Sequence, residues 1–146
     1  MRVAIGSDHA GFDQKQRIVS HLRQAGHDVT DVGTTSAEQS VDYPDFALAV
    51  ARGVAAGDAV FGVLVCGTGI GMAMTANKVS GVRAANVTDP EFARLAREHN
   101  DANVVTVSAR FVPEQVNEQI VDAFLSTAFG GGRHAARVSK ISAAEE

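Results

Sequence analysis

Residues 60–71 read Val60-Phe61-Gly62-Val63-Leu64-Val65-Cys66-Gly67-Thr68-Gly69-Ile70-Gly71. The first seven are nearly all apolar, the pattern of a strand covered on both faces. The glycines that follow turn the chain into a helical segment expected over about 70–79. Working outward, further short apolar runs stand at Val3-Ala4-Ile5 and at residues 29–32, 83–87 and 103–107. Between them, Ile18, Val19 and Leu22 recur at helical spacing, as do Phe46, Val50 and Val54, and then Val116, Ile120 and Phe124. Helices are also expected at 90–99 and 133–144. Five strands alternating with helices predict an α/β fold, a parallel sheet with helices on both faces. Pro44, Pro90 and Pro113 are each expected at a first helical position, where the missing amide costs nothing. Asp89 is an N-cap candidate. Gly130-Gly131-Gly132 must interrupt any helix and leaves the last segment free to swing away.

The 146 residues suit one domain, 1–146, with a real hydrophobic core. Apolar residues make up 45% and charged residues 21%, as in ordinary globular proteins. A net charge of −4 argues against a general nucleic-acid binder but leaves room for a local cationic pocket. Cys66 is the single cysteine, so no disulfide can form within the chain, and a reducing cytosol is the natural home. The opening MRVAIGSDHAGF lacks the apolar stretch of a signal peptide. No run approaches the roughly 20 apolar residues needed to span a membrane. The expectation is a soluble cytoplasmic protein.

In parallel sheets, ligands bind beyond the carboxyl ends of the strands. Cys66-Gly67-Thr68-Gly69-Ile70-Gly71 lies at such an end. Its glycines allow close backbone approach to a ligand, although a packing turn would look the same. Met72 breaks the dinucleotide fingerprint, and no Lys-Ser/Thr pair follows for a P-loop. Cys66 is either a small buried hydrophobe or a reactive thiol. A helix N-terminus beside it would stabilise a thiolate. A phosphatase loop, Cys-x5-Arg, fails at Met72, and a CxxC pair fails for want of a second cysteine. Proton abstraction needs only one thiolate.

Asp8-His9 follows the first strand and is either part of the binding edge or a helix cap with a solvated His. His99-Asn100-Asp101 ends the fourth helix, where a cation and an Asn are favourable for structural reasons alone. Arg133 and Arg137 share a helix face with His134 between them, which suits a phosphate or a solvated basic surface. Arg110 follows the fifth strand and could join them. His21 and His27 read as surface residues. No zinc-ligand spacing is present, so no metal is expected.

Taken together, the strings GSDHAGF, DYPDFA, CGTGIGMAMTANK, REHNDANV and GGRHAARV, running nearly end to end, resemble the ribose-5-phosphate isomerase B family, whose relatives include the galactose-6-phosphate isomerase subunits. The resemblance implies a cofactor-independent, Rossmann-like α/β/α homodimer, in some cases paired into tetramers. It implies that Cys66 takes the proton next to the carbonyl, and that Thr68 and the amides around Gly67, Gly69 and Gly71 hold the enediolate. His99 would open the furanose ring, with Asp8 and Asn100 nearby, and Tyr43 would line the pocket. His9, Arg110, Arg133, His134 and Arg137 match phosphate-binding positions. Some relatives use a glutamate base further along; Thr75 stands where it would be, so the chain resembles the cysteine branch.

The expected activity is interconversion of ribose 5-phosphate and ribulose 5-phosphate in the non-oxidative pentose phosphate pathway. Allose 6-phosphate, galactose 6-phosphate or a tetrose phosphate are alternative substrates, since a methylene-sized difference is worth only about 1–3 kcal/mol. A non-catalytic sugar-phosphate-binding subunit is a third reading. Topology adds one expectation. Cys66, Asp8 and Arg110 follow strands, whereas His99 closes a helix and precedes a strand, which puts it at the opposite edge of its own sheet. A five-residue strand is about 17 Å long. If both Cys66 and His99 are catalytic, the site is shared between two subunits, with the C-terminal helix reaching the partner.

Overall fold

The computed structural model describes residues 1–145. The elements run β1 (Arg2–Ser7), α1 (Phe12–Gln24), β2 (Asp28–Asp31), α2 (Tyr43–Ala55), β3 (Phe61–Cys66), α3 (Ile70–Ala76), β4 (Ala84–Asn86), α4 (Pro90–Asn100), β5 (Val104–Ser108), α5 (Glu114–Ser126) and α6 (Arg133–Ala143). The strands form one parallel sheet in the order β2-β1-β3-β5-β4. From β1 the chain steps to β2 on one side, and from β3 onward it builds the other. The reversal therefore falls between β1 and β3, and open sheets of this kind leave a ligand crevice at such a point.

Strand β3 is buried along its whole length because its alternating side chains feed two cores. Phe61, Val63 and Val65 pack with Ile18 and Leu22 of α1 and with Ile120 and Phe124 of α5. Leu64 and Cys66 face Val50 and Val54 of α2 and Met72 of α3. Each fully buried aliphatic side chain of this kind contributes about 1.5–3 kcal/mol. Cys66 thus shares a face with α2 and α3, and that decides which residues surround it. No helix among the described residues is long and apolar enough to cross a membrane.

Several boundaries follow local chemistry. Asp89 caps α4, its Oδ1 accepting from the Phe92 amide at 3.0 Å, and Pro90 opens the helix as expected. Pro44 is the second residue of α2, behind Asp42. Pro113 lies just outside α5 rather than at its first helical position: its ψ of 142° is extended. Helix α3 stops at Ala76, short of the expected 79. The Asn77 side chain there clasps the Ala84 backbone, donating to its carbonyl at 3.0 Å and accepting from its amide at 2.8 Å. Gly131 and Gly132 take φ values of 63° and 55° and break the helix. Helix α6 does not swing clear of its own chain. The Gly130 amide donates to the Glu98 carbonyl at 2.9 Å, and Val138 is buried, while most of the helix surface stays exposed.

One buried cation sets the end of α4. Arg97 is 7% exposed. Its guanidinium donates to the Thr127 carbonyl at 3.1 Å, the Ala102 carbonyl at 2.6 Å and Asp101 Oδ1 at 2.9 Å, and lies 4.6 Å from the Phe61 ring centroid. Asp101, at φ 49°, also accepts from Arg83 through its carbonyl at 2.8 Å. Arg97→Met keeps a stem to cover the rings but removes the three hydrogen bonds that the guanidinium donates. It should lower the unfolding free energy in urea by about 1.5–3 kcal/mol, the range for a hydrogen bond to a charged group; a wild-type midpoint would show that the network contributes nothing.

Candidate active site

Three strands end at one edge of the sheet and deliver Asp8, Cys66 and Arg110 there. With Tyr43 from the start of α2 and Thr68 and Gly71 from the glycine turn, they line a cavity of about 420 Å³. Gly67 also lines it, as do Ile70 and Met74, two apolar side chains that sequence reasoning did not single out. Cys66 is 5% exposed, and its Sγ accepts a hydrogen bond from the Gly69 amide at 3.1 Å. The turn closes only because residue 69 is glycine: its φ is 81°, and a Cβ there would stand 2.4 Å from Asn86 Oδ1.

The other side chains of this edge are held in different ways. Asp8 is buried, and its Oδ1 accepts from the Gly11 amide at 3.0 Å. It therefore does the structural work of a turn and lines the pocket as well. Thr68 is exposed, and its Oγ1 accepts from the Ile70 amide at 3.2 Å, leaving the hydroxyl proton for a ligand. His9 does not line the cavity. Its Nδ1 lies 3.2 Å from the Val41 amide, which makes Nδ1 the acceptor and leaves Nε2 as the donor. Arg110 folds over Gly67, and among the described residues it forms no ion pair.

The remaining candidates gather elsewhere. His99 and Asn100 end α4, and Arg133, His134 and Arg137 lie in the first turns of α6. The His99 and His134 rings stack with centroids 4.3 Å apart and planes 16° from parallel. Loss of solvent, then the charges of His99, Arg133 and Arg137, hold His134 below the ordinary histidine value. It is thus mainly a neutral hydrogen-bonding group at pH 7. Glu98 Oε1 stands 3.7 Å from His99 Nε2. The sheet register separates the two groups. The turn after His99 leads into Val104, which pairs with Gly62, whereas Cys66 pairs with Ser108 at the other end. Four residues of strand span about 13 Å. Within one chain the thiol and the imidazole face opposite edges, as the topology argument expected.

Beneath the glycine turn lie three polar side chains that sequence reasoning missed: Thr106, Ser108 and Asn86. Ser108 obeys the same strand-end rule that found Asp8 and Cys66. Thr106 is marked only by being a hydroxyl within a valine run. Among the described residues, no group of three or more His, Cys, Asp or Glu is arranged to hold a metal ion.

The fold and this edge define a class: a parallel α/β protein with a small-ligand site built around a strand-end thiol. The family model described as Ribose/Galactose Isomerase matches residues 3–141, and the chain belongs to that family. It is 45% identical to the ribose-5-phosphate isomerase B of Escherichia coli strain K12 over 145 residues, covering 99% of this chain and 97% of the relative. The ribose-5-phosphate isomerase B structure from Clostridium thermocellum superposes with a TM-score of 0.96 at 48% identity, covering 98% of this chain and 96% of that one. The Mycoplasma genitalium ribose-5-phosphate isomerase B structure, which has ribulose-5-phosphate bound, gives a TM-score of 0.93 at 45% identity, with 97% and 94% covered.

The glycine at 71 makes room for Tyr43, since a Cβ there would stand 2.4 Å from the ring and 2.8 Å from the hydroxyl oxygen. Tyr43 is the only tyrosine, and the chain has no tryptophan, so its fluorescence reports this one position. Gly71→Ala should push the ring outward and raise acrylamide quenching of the tyrosine emission. An unchanged quenching constant would show that the contact yields without moving Tyr43.

Proposed function

We propose that this chain is a ribose-5-phosphate isomerase, interconverting ribose 5-phosphate and ribulose 5-phosphate by cofactor-independent proton transfer through an enediolate. The observation that carries the reading is the Cys66 sulfur, hydrogen-bonded to the Gly69 amide and lining a cavity with Asp8, Tyr43, Thr68 and Arg110. The family match and the ribulose-5-phosphate in a relative with the same fold support it.

In this reading the Cys66 thiolate removes the C2 proton of the linear aldose, and the electron pair moves onto the carbonyl oxygen at C1. The Thr68 hydroxyl and the amides of the 67–71 turn other than those of Gly69 and Ile70, which are bonded within it, stabilise that charge, a type of interaction often worth more than any other catalytic term. A proton passes from O2 to O1, and the Cys66 thiol then returns its proton to C1, which gives the ketose. Arg110 holds the phosphate from this chain.

The resemblance gives the ring-opening step to His99, which within one chain faces the opposite edge of the sheet from Cys66. The reading therefore includes a homodimer in which His99, Asn100, Arg133, His134 and Arg137 of a second copy complete each site, with α6 presenting the arginines. Phosphate binding at these residues supplies energy remote from the reacting carbons, which orients them. His9, whose Nε2 is free to donate, joins the phosphate group. Pairing of dimers into tetramers, a single domain over 1–146, a cytoplasmic location and a place in the non-oxidative pentose phosphate pathway belong to the same proposal.

Cys66→Ala tests the base. It should cost a factor of about 10²–10⁴ or more in turnover of ribose 5-phosphate while leaving the circular dichroism spectrum unchanged. Activity within about tenfold of wild type would remove Cys66 from the proton transfer.

A further inference from the structure

Two hydroxyls of β5 grip the glycine turn from beneath. Thr106 is fully buried and Ser108 is 2% exposed. Ser108 Oγ donates to the Gly67 carbonyl at 2.7 Å and accepts from the Phe111 amide at 3.0 Å. Thr106 Oγ1 lies 2.8 Å from the Gly69 carbonyl and 3.0 Å from Asn86 Oδ1. A hydroxyl has one proton to give, and the nearer carbonyl takes it. Asn86 Oδ1 is the second, more distant acceptor offered to the same proton.

Neither carbonyl needs these hydroxyls to be paired. Gly67 O already accepts from the Arg110 amide at 3.1 Å, and Gly69 O from the Ala73 amide at 3.1 Å. Nor does the strand need them, since β5 reads Val104-Val105-Thr106-Val107-Ser108 and a valine at 106 would suit a buried strand equally well. What the second bond adds is direction: a carbonyl held at both lone pairs cannot rock. In a trans peptide the following N–H points the opposite way, so fixing two carbonyls fixes the Thr68 and Ile70 amides. The Ile70 amide in turn donates to Thr68 Oγ1, and the Gly69 amide between them donates to Cys66 Sγ.

We infer that Thr106 and Ser108 are positioning residues for the proton transfer, aiming the Thr68 amide and hydroxyl at the enediolate oxygens before charge develops there. This rests on the isomerase reading. It also separates the two residues: the Thr106 hydroxyl bonds only the turn and Asn86, whereas the Ser108 hydroxyl also holds the Phe111 amide next to Arg110, and so couples the turn to the phosphate grip.

The test measures kcat and KM for ribose 5-phosphate in Thr106→Val, Thr106→Ser and Ser108→Ala, together with ¹⁵N amide spectra of each. Thr106→Val should lower kcat by about tenfold or more, less than the 10²–10³ lost with an oxyanion donor itself, and leave KM nearly unchanged. Thr106→Ser should restore kcat. Ser108→Ala should lower kcat and raise KM. The Thr68 and Ile70 amide resonances should shift in Thr106→Val and return in Thr106→Ser. Wild-type kcat in Thr106→Val, an equal loss in Thr106→Ser, or a loss confined to KM would overturn the inference. If the wild type itself failed to turn over ribose 5-phosphate, the isomerase reading would fall, and with it the role in proton transfer. The spectra would still decide whether the hydroxyls aim the turn, and unmoved Thr68 and Ile70 amides would reject that on their own.

Discussion

A side chain at position 69 would meet Asn86 at 2.4 Å and the Val107 carbonyl at 3.0 Å, and one at position 71 would run into the Tyr43 ring. The backbone of 66–71 is thereby clamped between β5, β4 and the start of α2, and the rest of the site depends on that clamp. It brings the Gly69 amide to the Cys66 sulfur, seats Thr68 at the surface and lets Arg110 lie over Gly67. The clamp is made of backbone, two buried hydroxyls, the Asn86 side chain and the Tyr43 ring. Preorganisation of this kind is what lets amides stabilise a developing charge without reorganising during the reaction.

The second group of functional candidates is supported differently. His99 and Asn100 sit at a helix end fixed by the buried Arg97 and the left-handed Asp101, and His134 reaches them from α6 by stacking. This half faces the opposite edge of the sheet from Cys66. A small sugar phosphate cannot bridge that gap within one chain. In the proposed homodimer, two copies related by a twofold axis would place the first half of one beside the second half of the other, twice. The proposed shared site is thus a consequence of the right-handed parallel topology, which sends every helix back to the amino edge of the sheet.

Much of this was legible in the sequence because the signals were local. Apolar runs found all five strands, Asp89-Pro90 marked the start of α4, and the strand-end rule placed Asp8, Cys66 and Arg110 on one edge. What was not legible came from pairings distant in sequence. Thr106 and Ser108 look like ordinary strand residues until β3 brings the glycine turn over them. Asn77 ended α3 early by binding Ala84, a contact no helical period announces. The hydrogen bond that fixes the His9 ring comes from the Val41 amide, far off in sequence, and leaves its Nε2 free. The glycine triplet announced a break but not the direction of the chain after it, which the Glu98 carbonyl sets.

The central claim is that a complete site needs two copies of the chain, and subunit mixing tests it most directly. Cys66→Ala and His99→Asn proteins, each inactive alone, are dissociated, combined in equal amounts and reassociated, and heterodimers are counted by native mass spectrometry. A shared site gives each heterodimer one intact and one doubly defective site. With random pairing, half the dimers carry half their sites intact, and activity on the order of a quarter of wild type should return. If heterodimers form and activity stays absent, both residues serve a site within one chain, and the shared-site account is wrong.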